Sequence, residues 1–370
     1  MTARRVLHLL GTARPEASGI ARVVGLLSKG LDPQRYETHA WFLDGDGPLR
    51  GEIESTGVRV RVFEWPGGSR QPLRAARFWN AIAGERFDLV HQHYGARMPR
   101  WITRRRTGAR VVVHFWGHVR ESEDLSPIRL EAPGADAVIA CSEAVAARVV
   151  GHRAVVVYPA VPIPSAGRKV SPGGPTIGAA GRLVPMKGFV HLIRAMARVR
   201  ERHPGARLEI AGSGPLHDEL MREVRTLRLE DSVALLGWRS DLAPLLERWD
   251  VYAQPSVVEP FGIAALEAMA AGLPVVATTG SGLQEFVEHG RSGWLVPPAD
   301  SEELSERLTS LLADPEMRAA MGEAGRSRAR DRFSPEKMVS SIRSVYENVL
   351  SGEEAPVDVP LAGDPARARR

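Results

Sequence analysis

Short runs of β-branched and other apolar residues alternate along the whole chain with longer stretches whose apolar positions recur at helical spacing. This alternation is typical of repeated βαβ units, and it predicts an α/β fold built on mostly parallel sheets. Seven strands are predicted in the first half, at residues 4–10, 36–42, 58–63, 87–91, 110–114, 136–140 and 154–157. Six more are predicted in the second half, at residues 176–180, 207–211, 232–236, 251–254, 274–277 and 293–296.

A segment rich in proline and glycine, residues 162–175, separates the two series of strands. Such a composition favours extended and turn conformations and is typical of a linker. The chain has 370 residues, which exceeds the size at which one hydrophobic core usually stops growing. We therefore expect an N-terminal domain at residues 1–165 and a C-terminal domain at residues 166–334.

The end of the chain predicts one further helix. Ser334 and Pro335 are typical of an N-cap and a first helical position, and apolar residues then recur at helical spacing as far as Val349. The pattern predicts a crossover helix at residues 335–350. Residues 351–370 lack a periodic apolar face, and we expect them to form a disordered tail.

Composition narrows the class of protein only a little. Hydrophobic residues make up 44% of the chain, but no apolar run approaches the roughly 18 residues that span a bilayer. The apolar stretch from Val6 to Leu10 is too short for a signal peptide. A single cysteine, Cys141, excludes an intramolecular disulfide and favours a cytoplasmic location. The net charge of +5 suits nucleotides, anionic lipids and nucleic acids alike.

Two cations flank a predicted helix start in the second half. The strand at 176–180 ends in a turn, and a helix is expected to begin near Gly188, so that Arg182 and Lys187 lie on either side of the turn. Free amides and the helix dipole favour an anion there, and a guanidinium with an ammonium suits a diphosphate. The order Lys187-Gly188 does not match the P-loop pattern. The alternative is two solvated surface charges.

Two carboxylates, Glu259 and Glu267, lie eight positions apart. On one helix they would stand roughly 12 Å apart along the axis, too far for a close acid and base pair. Pro260 favours a helix start just after Glu259, which would leave free the amides of Phe261, Gly262 and Ile263. Carboxylates suit sugar hydroxyls, and Glu267 needs a partner among its apolar neighbours. The alternative is a capping carboxylate and a solvated helix residue.

These segments resemble the retaining GT-B glycosyltransferases that include bacterial mannosyl- and glucosyltransferases, the glycosyl transferases of group 1. The marker is Glu-x7-Glu, here Glu259 to Glu267, followed by a small-residue helix and the strand Gly272-Leu-Pro-Val-Val. Upstream, the Gly181-Arg-Leu turn with Lys187-Gly and the turn Ala211-Gly-Ser-Gly-Pro follow the same family pattern. The resemblance covers nearly all of residues 176–350.

The resemblance implies a GT-B fold, with two Rossmann-like domains facing a central cleft and the C-terminal helix returning toward the N-terminal domain. By position it assigns catalytic roles to four residues. Arg182 and Lys187 bind the donor diphosphate, Glu259 contacts the transferred sugar, and His114 lies near the reacting sugar. The alternative for His114 is a buried histidine at a strand end.

The resemblance also implies a set of donor-binding positions. Glu267 binds the ribose hydroxyls, and the backbone around Trp238 meets the base. The donor-binding residues implied in this way are Gly19, Gly181, Gly214, Trp238, Arg239, Phe261, Gly262, Ile263 and Glu267.

Two segments depart from the family pattern. Ser18 stands where the N-terminal loop normally carries the first of two glycines, which puts a close approach to phosphate or acceptor in doubt. The segment Pro159-Ala-Val-Pro stands where many relatives carry Pro-Asn-Gly-Val-Asp, so any role of the asparagine is missing.

A metal site is not expected. His91 and His93, or His114 and His118, could share a face, but no third ligand is evident and the His-Glu-x-x-His motif is absent. A sugar-nucleotide epimerase of the same fold is the nearest rival function, although no acid and base pair for it is recognisable. A NAD-dependent dehydrogenase lacks its Gly-x-Gly-x-x-Gly motif. A catalytically silent nucleotide-binding scaffold is the alternative from another class.

The predicted function is therefore retaining transfer of a sugar from a nucleotide-diphosphate donor to an acceptor hydroxyl, in the synthesis of glycans, polysaccharides or glycolipids. No cofactor or metal is expected, and the acceptor is a glycan or a lipid-linked molecule. Six arginines surround Trp101 and Ile102 within residues 97–110, a composition that suits an anionic membrane surface. The alternative is a solvated helix whose Trp101 and Ile102 pack inward. Nucleic acid is not an expected partner, because no binding motif accompanies the basic residues.

Overall fold

A computed structural model of the chain describes residues 3–14, 18–63, 71–93, 97–117, 128–164 and 174–353. They form two compact units. The first unit consists of Met1–Trp116, Arg129–Ala160 and Pro335–Arg370, and the second consists of Gly117–Ile128 and Val161–Ser334. The first unit is therefore built from three separate segments of the chain, whereas the N-terminal domain was expected to be one continuous range.

The strands are β1 (Arg4–Leu10), β2 (Tyr36–Phe42), β3 (Arg59–Val62), β4 (Leu89–Gln92), β5 (Arg110–Phe115), β6 (Leu130–Glu131), β7 (Ala137–Ala140), β8 (Val149–Val150), β9 (Ala154–Val156), β10 (Thr176–Ala180), β11 (Arg207–Ala211), β12 (Val233–Gly237), β13 (Val251–Gln254), β14 (Val275–Thr278) and β15 (Gly293–Val296). All thirteen predicted strands are confirmed, and only the short pair β6 and β8 was not predicted.

The α-helices are α1 (Ser18–Gly30), α2 (Leu49–Glu54), α3 (Gln71–Ala83), α4 (Arg97–Thr107), α5 (Glu143–Ala146), α6 (Phe189–Arg202), α7 (His217–Thr226), α8 (Ala243–Leu246), α9 (Ile263–Ala270), α10 (Ser301–Ala313), α11 (Pro315–Arg332) and α12 (Pro335–Ser351). Most of them follow a strand, as expected of βαβ units.

The first unit is built on a parallel sheet of seven strands in the order β3-β2-β1-β4-β5-β7-β9. The strand order reverses direction at β1, which has β2 on one side and β4 on the other. The crossover helix α12 belongs to this unit and packs on α1, where Val339 leaves no room for a side chain at Gly30. Arg35 and Glu347 add an exposed ion pair at 2.8 Å.

The second unit is built on a parallel sheet of six strands in the order β12-β11-β10-β13-β14-β15. Its central strands β10 and β13 are buried along their whole length, because helices cover both faces of such a sheet. The strand order reverses at β10, between β11 and β13. In open sheets of this type ligands bind at the carboxyl ends of the strands beside such a reversal.

One predicted helix start is wrong. The helix expected just after Glu259 begins four residues later, because Gly262 is its N-cap in a left-handed conformation at φ 101°. A residue with a side chain adopts that conformation only with strain.

The chain end agrees with the predicted helix, which extends to Ser351. The predicted disordered tail falls almost entirely on residues 354–370, which lie outside the described residues. Most of the predicted linker, residues 165–173, also lies outside them. Among the described residues, no helix is both long enough and apolar enough to cross a membrane.

Candidate active site

The turn after β10 carries the two predicted diphosphate ligands, Arg182 and Lys187. It is tied to the turn after β11 by backbone hydrogen bonds, from Gly181 N to Ala211 O at 3.0 Å and from Leu183 N to Ser213 O at 2.9 Å. A 3₁₀ turn, Pro185–Lys187, then leads to α6. The predicted helix start near Gly188 is therefore confirmed.

Gly188 connects the 3₁₀ turn to α6 in a way that requires glycine. Its φ is 63°, in the left-handed region, and a Cβ atom there would lie 2.2 Å from the carbonyl oxygen of Pro255. This close approach joins the loop after β10 to the loop after β13. Lys187 and Glu259, which are 72 positions apart in sequence, are thereby held together.

Lys187 and Glu259 form an ion pair, with Nζ and Oε2 separated by 2.5 Å. The side chains are 14% and 5% exposed, so water screens the pair only weakly. Ser256 Oγ also donates to Glu259 Oε2 at 2.9 Å, and Gln254 Nε2 lies 3.3 Å from the same oxygen. All three contacts converge on Oε2.

A chain of hydrogen bonds extends from this carboxylate to the end of β10. Gln254 Nε2 donates to Ser256 Oγ at 2.9 Å, and Tyr252 Oη donates to Gln254 Oε1 at 2.8 Å. The Tyr252 oxygen also lies 3.2 Å from both the amide nitrogen and the carbonyl oxygen of Ala180. Burial raises the pKa of Tyr252 well above its usual range, which keeps its proton available for donation.

The sequence analysis did not identify Tyr252, Gln254 and Ser256. They occupy alternate positions at the carboxyl end of β13, on the side that faces Glu259, and each is at most 1% exposed. Polar residues at every second position of an otherwise apolar strand end are the signal that could have identified them, because alternate strand residues share one face.

The remaining donor-binding residues of the second unit lie at the same sheet edge. Arg182 is half-buried in the turn after β10, and Gly214 lies in the turn after β11. Trp238 and Arg239 follow β12; Arg239 is exposed, and the buried Nε1 of Trp238 has no hydrogen-bond partner. The carboxyl ends of parallel strands meet at one edge, so the structure brings these positions to the same side of the sheet.

The later start of α9 changes which amides are free. Phe261 and Gly262 are buried and precede the helix. The first-turn amides were expected to be those of Phe261, Gly262 and Ile263, but the first turn begins only at Ile263. Glu267 lies within α9 and is half-buried. Glu259 lies in the loop before the helix, as predicted, where its carbonyl oxygen accepts a hydrogen bond from Gly282 N at 2.9 Å.

The predicted N-terminal site residues belong to the first unit. Gly19 is the second residue of α1 rather than part of a loop, and Pro15, Glu16 and Ala17 lie outside the described residues. His114 is the penultimate residue of β5 and is 1% exposed. Its ring stacks on Trp116, with 4.0 Å between centroids, and neither ring nitrogen has a hydrogen-bond partner among the residues that the structure describes.

His114 belongs to a group of four buried histidines with His8, His91 and His93. His8 pairs in register with His91 across β1 and β4, and His91 and His93 lie on one face of β4 and its extension. Burial lowers the pKa of His8 and of His114 to about 3, and those of His91 and His93 fall well below their usual value. All four rings are therefore neutral.

The expectation that no third metal ligand accompanies His91 and His93 is wrong. His8, His91 and His93 each offer a ring nitrogen, and these atoms all lie within 4.8 Å of one another. His8 lies 83 positions before His91, so only the strand register reveals the group. The alternative pair of His114 and His118 cannot be evaluated, because His118 lies outside the described residues.

The basic segment around Trp101 forms α4. Some of its arginines are bonded to a neighbouring segment of the chain, and others belong to an exposed surface around Trp101. Arg97 pairs with Glu131, and Arg104 Nη1 bonds to Gly134 O at 2.6 Å and to Asp136 at 3.0 Å. These arginines hold α4 to the segment before β7. Ile102 is buried, as the solvated-helix alternative requires.

Trp101 does not pack inward, since it is 61% exposed. Its ring lies 6.0 Å from that of Trp79 on α3, and the guanidinium of Arg106 lies 4.8 Å above Trp79. Arg105 is exposed one helical turn after Trp101. Trp79, Trp101, Arg105 and Arg106 form what we call the α4 surface.

Two family models match the chain. The model described as glycosyl transferases group 1 matches residues 167–328, and the model described as glycosyl transferase 4-like domain matches residues 18–166. D-inositol 3-phosphate glycosyltransferase of Corynebacterium urealyticum is 30% identical over an alignment 382 residues long. The alignment covers 87% of this chain and 89% of that protein. The chain belongs to the glycosyl transferases of group 1, as its motifs indicated.

Other relatives match over shorter segments. Glycogen synthase of Mycobacterium tuberculosis is 35% identical over 195 residues, which cover 52% of this chain. The matched segment spans about half the length of that relative, 47%.

Solved structures agree in fold. HepE of Anabaena, determined in complex with UDP and glucose, aligns with a TM-score of 0.77 at 24% identity and covers 92% of this chain and 99% of its own. Sucrose-phosphate synthase of Thermosynechococcus elongatus aligns with a TM-score of 0.79 at 21% identity and covers 95% and 100%. The chain has the GT-B fold of two Rossmann-like domains.

Proposed function

We propose that the chain is a retaining glycosyltransferase that moves a sugar from a nucleotide-diphosphate donor to an acceptor hydroxyl in the synthesis of a glycan, polysaccharide or glycolipid. The observation that carries the proposal is the grouping of Arg182, Lys187 and Glu259 at the strand reversal of the second unit. Binding of UDP and glucose by the structurally similar HepE supports a nucleotide-sugar donor.

In the proposed reaction the bond between the sugar and the diphosphate breaks, and the acceptor oxygen attacks from the same face. The departing diphosphate takes the acceptor proton, and Arg182 and Lys187 stabilise the charge that develops on it. An ammonium carries three donors, so Lys187 can hold Glu259 and still donate to phosphate oxygens. Glu259 Oε1 is then the oxygen that accepts sugar hydroxyls, and the catalytic role that the resemblance assigns to His114 stays a prediction.

A nucleotide sugar that binds the folded chain should raise its unfolding temperature. Ligand at a hundredfold excess over Kd adds about 2.7 kcal/mol to the free energy of unfolding. The full chain is screened by thermal shift against UDP, GDP and ADP sugars at equal concentration. Stabilisation by one base class supports the proposal, and its absence with all three contradicts it.

Transfer should persist in excess EDTA, because two protein cations take the place that a divalent ion holds in metal-dependent transferases. The measurement is the initial rate of nucleoside-diphosphate release before and after chelation. Loss of the rate, followed by recovery with Mg²⁺ or Mn²⁺, would show that the protein alone does not neutralise the diphosphate.

We propose in addition that the α4 surface binds an anionic membrane at its cytoplasmic face, where a lipid-linked acceptor is reached. An exposed tryptophan beside basic side chains suits the interface of an anionic bilayer. The exposed ring of Trp101, one turn before Arg105, fits this description. Arg104 is excluded from the membrane contact because it is bonded to Gly134 and Asp136.

The full chain should sediment with vesicles that contain anionic lipid and not with neutral vesicles. Each basic residue near such a surface contributes about 1 kcal/mol, so replacing both Arg105 and Arg106 by glutamine should weaken binding about tenfold or more. The matched control replaces Arg222 and Arg225, two exposed arginines of α7, in the same way. Equal sedimentation of both double variants would remove the proposal.

A further inference from the structure

The buried histidines of the first unit are more than a packing feature. Within the described part of the chain, His8 and His91 each have a buried Nε2 without a hydrogen-bond partner, and neither nitrogen of the neighbouring His114 has one. Burying an unpaired polar group costs about 1–3 kcal/mol. A neutral imidazole ring carries one proton and one nitrogen lone pair, so each ring of the group offers one lone pair that a metal ion can accept.

The donor set defines the chemistry of that ligand. Imidazole binds a metal ion through a nitrogen lone pair, and each of the three rings offers one ring nitrogen to the group. Imidazole nitrogens suit Zn²⁺, Cu²⁺ and Ni²⁺, whereas Mg²⁺ prefers oxygen. His91 also has the second contact typical of a metal-binding histidine, since its Nδ1 lies 2.6 Å from the hydroxyl of Tyr346.

We propose that His8, His91 and His93 form a binding site for a divalent transition-metal ion such as Zn²⁺, separate from the donor site of the second unit. Their nitrogens lie within 4.8 Å of one another, and those of His8 and His93 are 2.9 Å apart. Nitrogens that share one ion at about 2.0–2.1 Å stand roughly 3–4 Å apart. The widest separation therefore closes by about 1 Å, through rotation of the rings about the soft χ2 torsion.

Two hydrogen bonds must rearrange when the ion binds. Trp116 Nε1 donates to His93 Nδ1 at 3.3 Å, so the proton of His93 resides on Nε2, which donates to His8 Nδ1. The ion takes the place of that proton, which moves to Nδ1, and the long Trp116 contact opens. The strands themselves need not move, because the register of β1 and β4 already aligns His8 with His91.

Binding of a metal ion at this site would stabilise the folded chain, and the ion takes no part in sugar transfer. The ion would link β1 to β4 at the strand reversal of the first unit, beside Tyr346 of α12. A ligand that binds the folded chain better than the unfolded chain stabilises it. The inference does not depend on the proposed function, since it is read from metal binding and not from turnover.

The test is calorimetric titration of Zn²⁺ into the full chain, prepared without an affinity tag and stripped of metal by dialysis against a chelator. The expected result is one equivalent bound, with a rise in unfolding temperature. His8→Gln and His93→Gln should each weaken binding about tenfold or more, since loss of a direct ligand costs at least as much as loss of its supporting contact.

The matched control is His39→Gln, which alters a buried histidine of β2 outside the group and should bind like wild type. Absorption of Co²⁺ in place of Zn²⁺ reports the ligand geometry independently, and circular dichroism shows that each variant is folded. Absence of binding to the folded wild type would overturn the proposal. Equal binding by the folded His8→Gln and His93→Gln variants would also overturn it, because the ion would then be held elsewhere.

Discussion

Replacing Arg182 by alanine should lower the rate of sugar transfer about a hundredfold or more, as removal of a group that stabilises transition-state charge typically does. The guanidinium lies in the turn after β10, beside the 3₁₀ turn that carries Lys187, and provides paired donors for phosphate oxygens. The measurement is the initial rate of nucleoside-diphosphate release at saturating donor and acceptor.

The control for this prediction is Arg194→Ala. Arg194 lies on α6 in the same unit and is 51% exposed in an ion pair with Glu223, so its loss should leave the rate unchanged. Thermal unfolding of Arg182→Ala should remain close to that of wild type. A rate within a few-fold of wild type in Arg182→Ala would contradict the assigned role.

The second large effect concerns stability. Replacing Glu259 by glutamine leaves Lys187 as a nearly buried charge without its counter-ion, and removing one partner of such a pair costs about 3–5 kcal/mol in the free energy of unfolding. Lys187→Met leaves the carboxylate unpaired and should cost a similar amount.

A double-mutant cycle isolates the interaction. The variant that carries both Lys187→Met and Glu259→Gln should be less destabilised than the sum of the two single variants, because neither charge is then left alone. The free energies of unfolding are measured by denaturant titration. Additive losses would mean that the ion pair does not hold the two loops together, and the structural account of the site would fail on that point.

Most strands could be predicted closely because each is a short run rich in β-branched and other apolar residues between turn or helical segments. β10 and β11 begin and end at the predicted residues, 176–180 and 207–211. A buried parallel strand carries this signal in its own sequence. The short strands β6 and β8 have two residues each, too few for any pattern, and they were missed.

The start of α9 could not be predicted from local signals. Pro260 is typical of a first helical position, but Gly262 adopts a left-handed conformation and begins the helix instead. A Cβ atom at Gly262 would lie 2.5 Å from the side chain of Leu283, which is distant in sequence. Tertiary packing, and not local preference, therefore places this helix start.

The candidate site was predicted where a motif carried it and missed where it depended on contacts. Recognisable motifs contain Arg182, Lys187 and Glu259. The ion pair between Lys187 and Glu259, and the hydrogen-bond network from Tyr252 to Ser256, depend instead on the approach of two loops. His8 carries no local signal at all. Its partners are adjacent only because β1 pairs with β4.

The central claim is that the chain breaks the bond between a sugar and a nucleoside diphosphate and keeps the anomeric configuration. The most direct measurement is proton NMR of the full chain incubated with the nucleotide sugar that stabilises it, with an acceptor alcohol present. The account predicts release of the nucleoside diphosphate together with a product whose anomeric configuration is that of the donor. A product of inverted configuration would contradict the proposed course of the reaction. If the donor binds but stays unchanged, the proposed enzymatic activity is contradicted, and the chain is a catalytically silent nucleotide-binding protein.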